Sequence, residues 1–463
     1  MIPLSTLIAD LDGVRPTGAA DVVVSGIEAD SRAIGDGCLF AALPGARADG
    51  RDFIDRALAR GAVAVLGPAP RPASLGDDVP YVEAAAPRRA LAEICRRFFD
   101  APDEAVTVIG VTGTNGKTTT TELLAAGPGA AGRPTATGGT LGQRAGRFRA
   151  PGRLTTPEAP ALWTFLAHAR SEGCAAAAIE VSSAALVADR VHAIRFAAAI
   201  LTGMGHDHLD VHGTFENYLA AKRRLFEALS PGAVAVLPSD DPHAEAFRRA
   251  TRARTVSFGE NREADWRVSH HEPQPDGATF RLSGPGFDEA VRTTRPGPWD
   301  ARNLAAAAAA ASALGASTSA FVRGAASIPA VDGRWEAVAE GQPFTVIVDY
   351  AHTPEALERT LALLRRVTHG RVIVVFGCGG ERDRQKRPGM GRIAGRYADV
   401  AIVTDDNPRG EDPEAIARDI IAGLAAGRSR VLRVPGRAEA IRQAVRLAGP
   451  GDAVLVTGKG HET

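Results

Sequence analysis

Residues 106–119, VTVIGVTGTNGKTT, carry the residue types and spacing of a phosphate cradle. An apolar run from Val106 to Val111 meets a glycine-rich turn. Lys117 and Thr118 then open a helical stretch, where unpaired backbone N–H groups can receive anionic oxygens. Val111 stands where the commonest form of this motif has its first glycine, so the turn is a shorter Gly113-x-x-Gly116-Lys117-Thr118 variant. The chemistry would be binding of a nucleoside triphosphate, with Lys117 reaching the β and γ phosphates and the Thr118 hydroxyl holding Mg²⁺.

Such a cradle needs a carboxylate to complete its metal site. Glu180 closes the apolar run AAAAIE, where ligand-facing residues of a parallel sheet collect. Residues 202–213, TGMGHDHLDVHG, group Asp207, His208, Asp210 and His212. That cluster suits either a divalent ion or a solvated loop with a helix cap. Lys222 lies fourteen residues beyond His208 in a helical stretch. The chain has fifty arginines but only four lysines, Lys117, Lys222, Lys386 and Lys459, which suits either places where a guanidinium cannot serve or plain compositional drift, and only Lys117 and Lys222 fall where a chemical role can be named. An uncharged lysine amine can combine with CO₂ to give a carbamate, an oxygen ligand that arginine cannot supply.

The last third has four strand-to-loop units, VIVDYAHTPEAL, VIVVFGCGGERDRQKRPG, AIVTDDNPRGEDP and AVLVTGKGHET. Thr353-Pro354-Glu355 reads as an N-cap, a first-position proline and a first-turn acid, a structural role. Arg382, Arg409 and Glu462 present opposite charges in these loops, suited to a zwitterionic amino acid or to plain exposed loop charge. The glycines at 377, 379 and 380 do not form G-x-G-x-x-G, and Asp405-Asp406-Asn407-Pro408 is not a guanine-reading motif.

The elements that must position these groups follow from the wider pattern. Apolar runs alternate with Ala/Leu/Arg helical stretches, which predicts an α/β chain with largely parallel sheets. Breaks near DAPDEAV and SIPAVDGRW divide its 463 residues at roughly 1–104, 105–331 and 332–463. Equal numbers of basic and acidic residues, 54 each, give no bias toward nucleic acid or an anionic membrane. The Ala-rich run from Leu304 is too short and weakly apolar to span a bilayer. The N-terminus lacks a secretory pattern, and Cys38, Cys95, Cys174 and Cys378 are spaced as buried, reduced thiols, so a cytoplasmic protein without disulfides or zinc is expected.

Taken together, GVTGTNGKTTT, LTTPE, EVSS, DHLDVHGTFENYLAAKRRLF, VDYAHTPEALE, FGCGGERDRQKRPGMGRIA, TDDNPRGEDP and GKGHE closely resemble the Mur ligase family. The likeness is to the branch that adds the third amino acid to the UDP-linked peptidoglycan precursor, and ADSRAIGDGCLFAALPGARADGRDFI is similar to that family's uridine-nucleotide domain. The resemblance implies three domains: a UDP-substrate domain, a central P-loop domain that binds ATP and a Rossmann-like C-terminal domain that binds the amino acid. It implies a monomeric enzyme that uses ATP and two Mg²⁺ ions to join meso-diaminopimelate to UDP-N-acetylmuramoyl-L-alanyl-D-glutamate through an acyl phosphate.

By that resemblance Gly113, Thr114, Asn115, Gly116, Lys117, Thr118 and Thr119 bind ATP, with Asn303 at adenine and Arg334 and Asp349 near the nucleotide. Thr118 serves one ion, and Glu180, His208 and carbamylated Lys222 surround the other. Ser31, Thr155, Thr156, Ser182 and Arg190 hold the UDP-muramoyl substrate. Arg382 and the run Asp406, Asn407, Pro408, Arg409 select diaminopimelate, whose distal carboxylate lysine lacks, with Gly458 and Glu462 completing that site. The chain departs from the pattern at Ala184, Ala188, Gly203, Met204, His206 and Asp300, and it ends at Thr463, about one strand and one helix earlier than is usual. Two further readings stand beside the first: a ligase of this type with another acceptor, and a weakly active or inactive ATP-binding homologue.

Overall fold

The computed structural model describes all residues except 19, 20, 46, 47, 128–131, 206, 426 and 463, and the backbone alone of Leu209 and Asp210. Three large sheets account for the chain, one within residues 14–84, one within 107–293 and one within 336–457. The first has five strands in the order Val14–Thr17, Tyr81–Ala84, Ala62–Pro68, Cys38–Ala41 and Gly26–Glu28.

The middle sheet has eleven strands. Thr107–Thr112 lies between Ala176–Glu180 and Phe196–Leu201, parallel to both, with Val111 opposite Glu180 and Thr112 opposite Leu201. Three carboxyl ends therefore converge on one edge, the usual ligand edge of a parallel sheet. Small residues allow this packing: a Cβ on Gly110 would lie 3.0 Å from the Phe196 ring. The helix Pro298–Ala313 buries eleven residues, mostly alanines, which brings its axis close to the sheet. The helix Lys117–Ala126 starts after Gly116, whose φ of +88° favours glycine, and ends at Gly127. The proline and second glycine expected to stop it, at 128 and 129, lie outside the described residues.

Beyond Arg254–Gly259 the same sheet continues as an antiparallel meander, Trp266–Gln274, Gly277–Gly284 and Phe287–Thr293. The helix–strand alternation read from the residue pattern does not anticipate it.

The third sheet runs Glu336–Ala337, Thr345–Asp349, Ala453–Thr457, Val372–Phe376, Val400–Val403 and Arg430–Arg433, parallel except for its first pair. Four of these strands are the four anticipated units, and their loops gather at one end. Apolar cores lie on both faces, one built around Leu357, Leu361 and Met390, the other around Ala440 and Ala444. All four cysteines are buried and free. Among the described residues no helix is long and apolar enough to cross a membrane.

Candidate active site

A cavity of about 460 Å³ opens where the carboxyl edges of the second and third sheets face each other. The phosphate cradle supplies one wall, through Thr114, Asn115, Gly116, Lys117, Thr118 and Thr119, and Arg334, Asp349 and Tyr350 supply another. The volume suits a nucleotide-sized ligand. The cradle's glycines are required by close contact: a Cβ on Gly113 would sit 2.0 Å from Thr202 Oγ1, and one on Gly116 would sit 2.6 Å from Asn303 Oδ1.

Lys117 Nζ donates to the carbonyls of Gly113 (2.9 Å) and Thr114 (3.0 Å), so the lysine lies folded along its own loop. Thr118 Oγ1 donates to Glu180 Oε2 at 3.1 Å, and Thr140 donates to both Glu180 oxygens through its N–H and hydroxyl. Glu180, at the end of its strand, is thus held as a buried acceptor facing the cavity. His208 also lines the cavity, on a residue with φ of +55°. Arg334 crosses from the third segment, its Nη2 3.3 Å from Thr118 Oγ1 and its guanidinium 4.4 Å from the Tyr350 ring centre. Asp349 accepts from the N–H groups of Trp335 and Ala351, both at 2.8 Å, which fixes the loop that carries Arg334.

Lys222 is buried but does not line this cavity. Its Nζ donates to the Gly113 carbonyl at 2.8 Å. Burial lowers its amine well below the ordinary lysine range, and neighbouring Lys117 adds to that. A carbamate on Lys222 would have to leave that carbonyl to reach an ion beside Glu180.

The donor set fits ATP with Mg²⁺. Asn303 Nδ2 is buried without a partner beside Gly116, as a nucleobase contact would require. Mg²⁺ binds through one or two protein oxygens plus phosphate and water, and Thr118 with Glu180 offers that. Among the described residues no three His, Cys, Asp or Glu side chains converge as ligands of one ion.

The expected UDP-substrate residues form a track. Ser31 lines a second pocket, with Asp30, Arg32, Arg56, Arg88 and Glu158. Arg88 and Arg190 both pair with Glu158, at 3.0 and 2.9 Å, and Arg190 also donates to the Thr156 carbonyl. Thr156 Oγ1 lies 3.2 Å from Ser182 Oγ, and Thr155 reaches the main cavity. A line of polar groups therefore joins the two pockets. Ala184, one of the expected departures from the family pattern, is exposed on the short helix that Ser182 caps.

Among the residues expected to bind the amino acid, a Cβ on Gly379 would lie 2.9 Å from Arg409 Nη1 and 4.0 Å from Arg382 Cγ, so both arginines lie against that one glycine. Asp406 Oδ2 lies 3.2 Å from where a Cβ on Gly458 would be, and Lys459 Nζ donates to Asn407 Oδ1 at 3.3 Å. The Tyr350 hydroxyl donates to Glu462 Oε1 at 3.5 Å, which connects this group to the cavity.

Several cavity residues escaped the sequence reading. Asp240 and Asp241 follow the strand Val234–Pro238, and Asp241 Oδ2 accepts from the Met204 N–H at 2.6 Å. Two adjacent acids at the carboxyl end of a parallel strand were the available signal. Glu355 corrects the purely structural reading of its triplet: Thr353 does cap the helix, but Glu355 and His352 also line the cavity. Asp210 beyond its backbone, and His206, lie outside the described residues.

Three domain signatures match the chain: "Mur ligase family, catalytic domain" at residues 23–99, "Mur ligase middle domain" at 111–311 and "Mur ligase, glutamate ligase domain" at 333–460. The chain is similar to the UDP-N-acetylmuramoyl-L-alanyl-D-glutamate--2,6-diaminopimelate ligase of Geobacillus kaustophilus (strain HTA426), 42% identical across 99% of this chain and 94% of the relative. It is 40% identical to the Streptomyces coelicolor protein of the same name, over 99% and 92%. A solved structure of a ligase of that name superposes with a TM-score of 0.68 at 32% identity, covering 95% of this chain and 90% of that one. The MurF ligase of Thermotoga maritima in complex with ADP shares the fold, with a TM-score of 0.69 at 21% identity over 95% of each chain.

Proposed function

Because this chain belongs to the Mur ligase family, we propose that it joins meso-2,6-diaminopimelate to UDP-N-acetylmuramoyl-L-alanyl-D-glutamate in cytoplasmic peptidoglycan synthesis. It is an ATP-dependent, ADP-forming ligase that makes a carbon–nitrogen bond. The observation that carries the choice of acceptor is that Arg382 and Arg409 both lie against Gly379, while the acids Asp406 and Glu462 stand beside Gly458 and Tyr350. Two guanidiniums can take the distal carboxylate in bidentate fashion, and the acids can take the ammonium. L-Lysine offers no such carboxylate.

The substrate carboxylate attacks the γ-phosphorus of ATP and ADP leaves; the amine then attacks the acyl carbon and phosphate leaves. Transfer of this kind depends on positioning and charge neutralisation. Lys117, released from its own loop carbonyls, would meet the β and γ phosphates while the Gly113–Thr119 N–H groups cradle them. Mg²⁺ neutralises phosphate charge when bound, and Thr118, Glu180, His208 and a carbamate on Lys222 are the groups that would hold two ions. Asn303 would read the base, and Arg334 would bring the third segment onto the nucleotide. The track from Ser31 through Arg190, Thr156, Ser182 and Thr155 would lay the UDP-muramoyl dipeptide between the two pockets. We place the domain boundaries at 104/105 and 331/332, which leave each large sheet whole, and read the enzyme as a monomer.

The test is product identification. With ATP, the UDP-muramoyl dipeptide and meso-diaminopimelate, mass spectrometry should find the dipeptide heavier by one diaminopimelate residue, together with ADP and phosphate.

A further inference from the structure

One carboxylate that the proposed reaction does not use ties together the two loops that carry the acceptor-binding arginines. Glu411 follows the Asp406–Arg409 run and is nearly buried, its side chain 11% exposed. Its Oε1 accepts from the N–H of Glu381 at 2.5 Å, one residue before Arg382. Both of its oxygens accept from Arg387 Nη2 at 3.0 Å, and Arg384 approaches Oε2 at 3.2 Å. Arg387 is 1% exposed, and its other branch reaches Asp419 at 3.0 Å. The Glu381 N–H, with Arg387 beside it, holds the Glu411 carboxyl below its ordinary range, so it is a charged acceptor at neutral pH.

The two loops interlock at close range. Gly380 N–H donates to the Asn407 carbonyl at 2.9 Å, and Arg409 Nη1 donates to the Gly380 carbonyl at 2.5 Å. A Cβ on Gly380 would fall 1.9 Å from the Pro408 carbonyl oxygen. Glu381 and Arg409 both have φ of +52°, a backbone region that non-glycine residues keep only where the surroundings hold them. On the Glu381 side, the Glu411 carboxylate supplies that hold. Two-arginine recognition of a carboxylate depends on the spacing of the two forks, and a shift of about 1 Å can degrade it by orders of magnitude.

We propose that Glu411 is a positioning residue that sets the spacing of Arg382 and Arg409, and thereby the preference for an amino acid with a second, distal carboxylate. This rests on the acceptor reading given above. Its effect should fall on acceptor binding and selectivity rather than on phosphoryl transfer.

The experiment compares full-length wild type, Glu411→Gln and Asp419→Asn by phosphate release, with ATP and UDP-muramoyl dipeptide saturating and either meso-diaminopimelate or L-lysine varied. Glu411→Gln should raise KM for diaminopimelate about ten- to hundredfold, leave the ATP KM and kcat within a few-fold of wild type, and shrink the discrimination against lysine by a similar factor. Asp419→Asn loosens the same buried guanidinium without touching the Glu381 loop, and should keep wild-type selectivity. Unchanged selectivity in Glu411→Gln, or an equal loss in both variants, would overturn the inference while leaving the acceptor reading intact. A wild type that does not prefer diaminopimelate overturns the acceptor reading itself, and this inference with it.

Discussion

Lys117 and Lys222 direct their amines at the same oxygen, the carbonyl of Gly113, at 2.9 and 2.8 Å. Two ammonium groups on one acceptor repel each other, and desolvation lowers both amines, Lys222 well below its ordinary value. Burial and the neighbouring Lys117 favour the neutral amine at Lys222, the form that would combine with CO₂ and release a proton to become the proposed carbamate. The cationic partner left on the loop is Lys117, whose charge phosphate chemistry needs.

Replacing Lys222 by alanine should lower turnover at least about a hundredfold and leave ATP binding within a few-fold of wild type. Added formate or acetate should restore part of the activity. Labelling with ¹³C-bicarbonate should give a carbamate carbon resonance in wild type that the variant lacks. Normal turnover in the variant would remove Lys222 from the chemistry.

Arg334 reaches Thr118 from the other side of the cavity, so Arg334→Ala should raise the KM for ATP about tenfold. Thermal stability should barely change, because the guanidinium lies against the Tyr350 face at the cavity wall rather than in a core. Isothermal titration with a non-hydrolysable ATP analogue reads this effect apart from the chemistry.

Burial pushes the Asp300 carboxyl up to about 7, against the pull of Arg295 at 3.7 Å. The folded protein then holds a proton that the unfolded chain releases near pH 4, so this group's contribution to stability falls as pH rises from about 4 through about 7. In Asp300→Asn that fall should vanish, and the difference in melting temperature between variant and wild type should move in the variant's favour from pH 5 to pH 8. Calorimetry showing a difference independent of pH would contradict the assigned burial.

Arg409→Ala removes one of the two forks beside Gly379. The KM for meso-diaminopimelate should rise about ten- to hundredfold, while that for L-lysine changes little. Steady-state phosphate release with each acceptor measures both.

Much of this site was legible because its groups sit at the ends of elements that the sequence marks. The strand before Gly113, the helix opening at Lys117, Glu180 at a strand terminus and the Thr353 cap all follow from local periodicity and turn chemistry. The pairings across long stretches of chain were not legible. Lys222 meets Gly113 across 109 residues, and Arg334 meets Thr118 across 216, and no spacing rule encodes such contacts. The meander at 266–293 was hidden for another reason: its polar faces and His270-His271 pair blur the alternation that marks a half-exposed strand. Asp240, Asp241 and Glu355 were missed because each also has a plausible local role at a turn or helix start.

The most direct measurement is phosphate release from ATP by the purified protein with UDP-muramoyl dipeptide, given meso-diaminopimelate in one series and L-lysine in the other. Release that depends on both the dipeptide and diaminopimelate, with lysine poorer by at least about tenfold in kcat/KM, is the predicted result. Release that is equal with lysine, or absent with diaminopimelate although ATP binds, would contradict it.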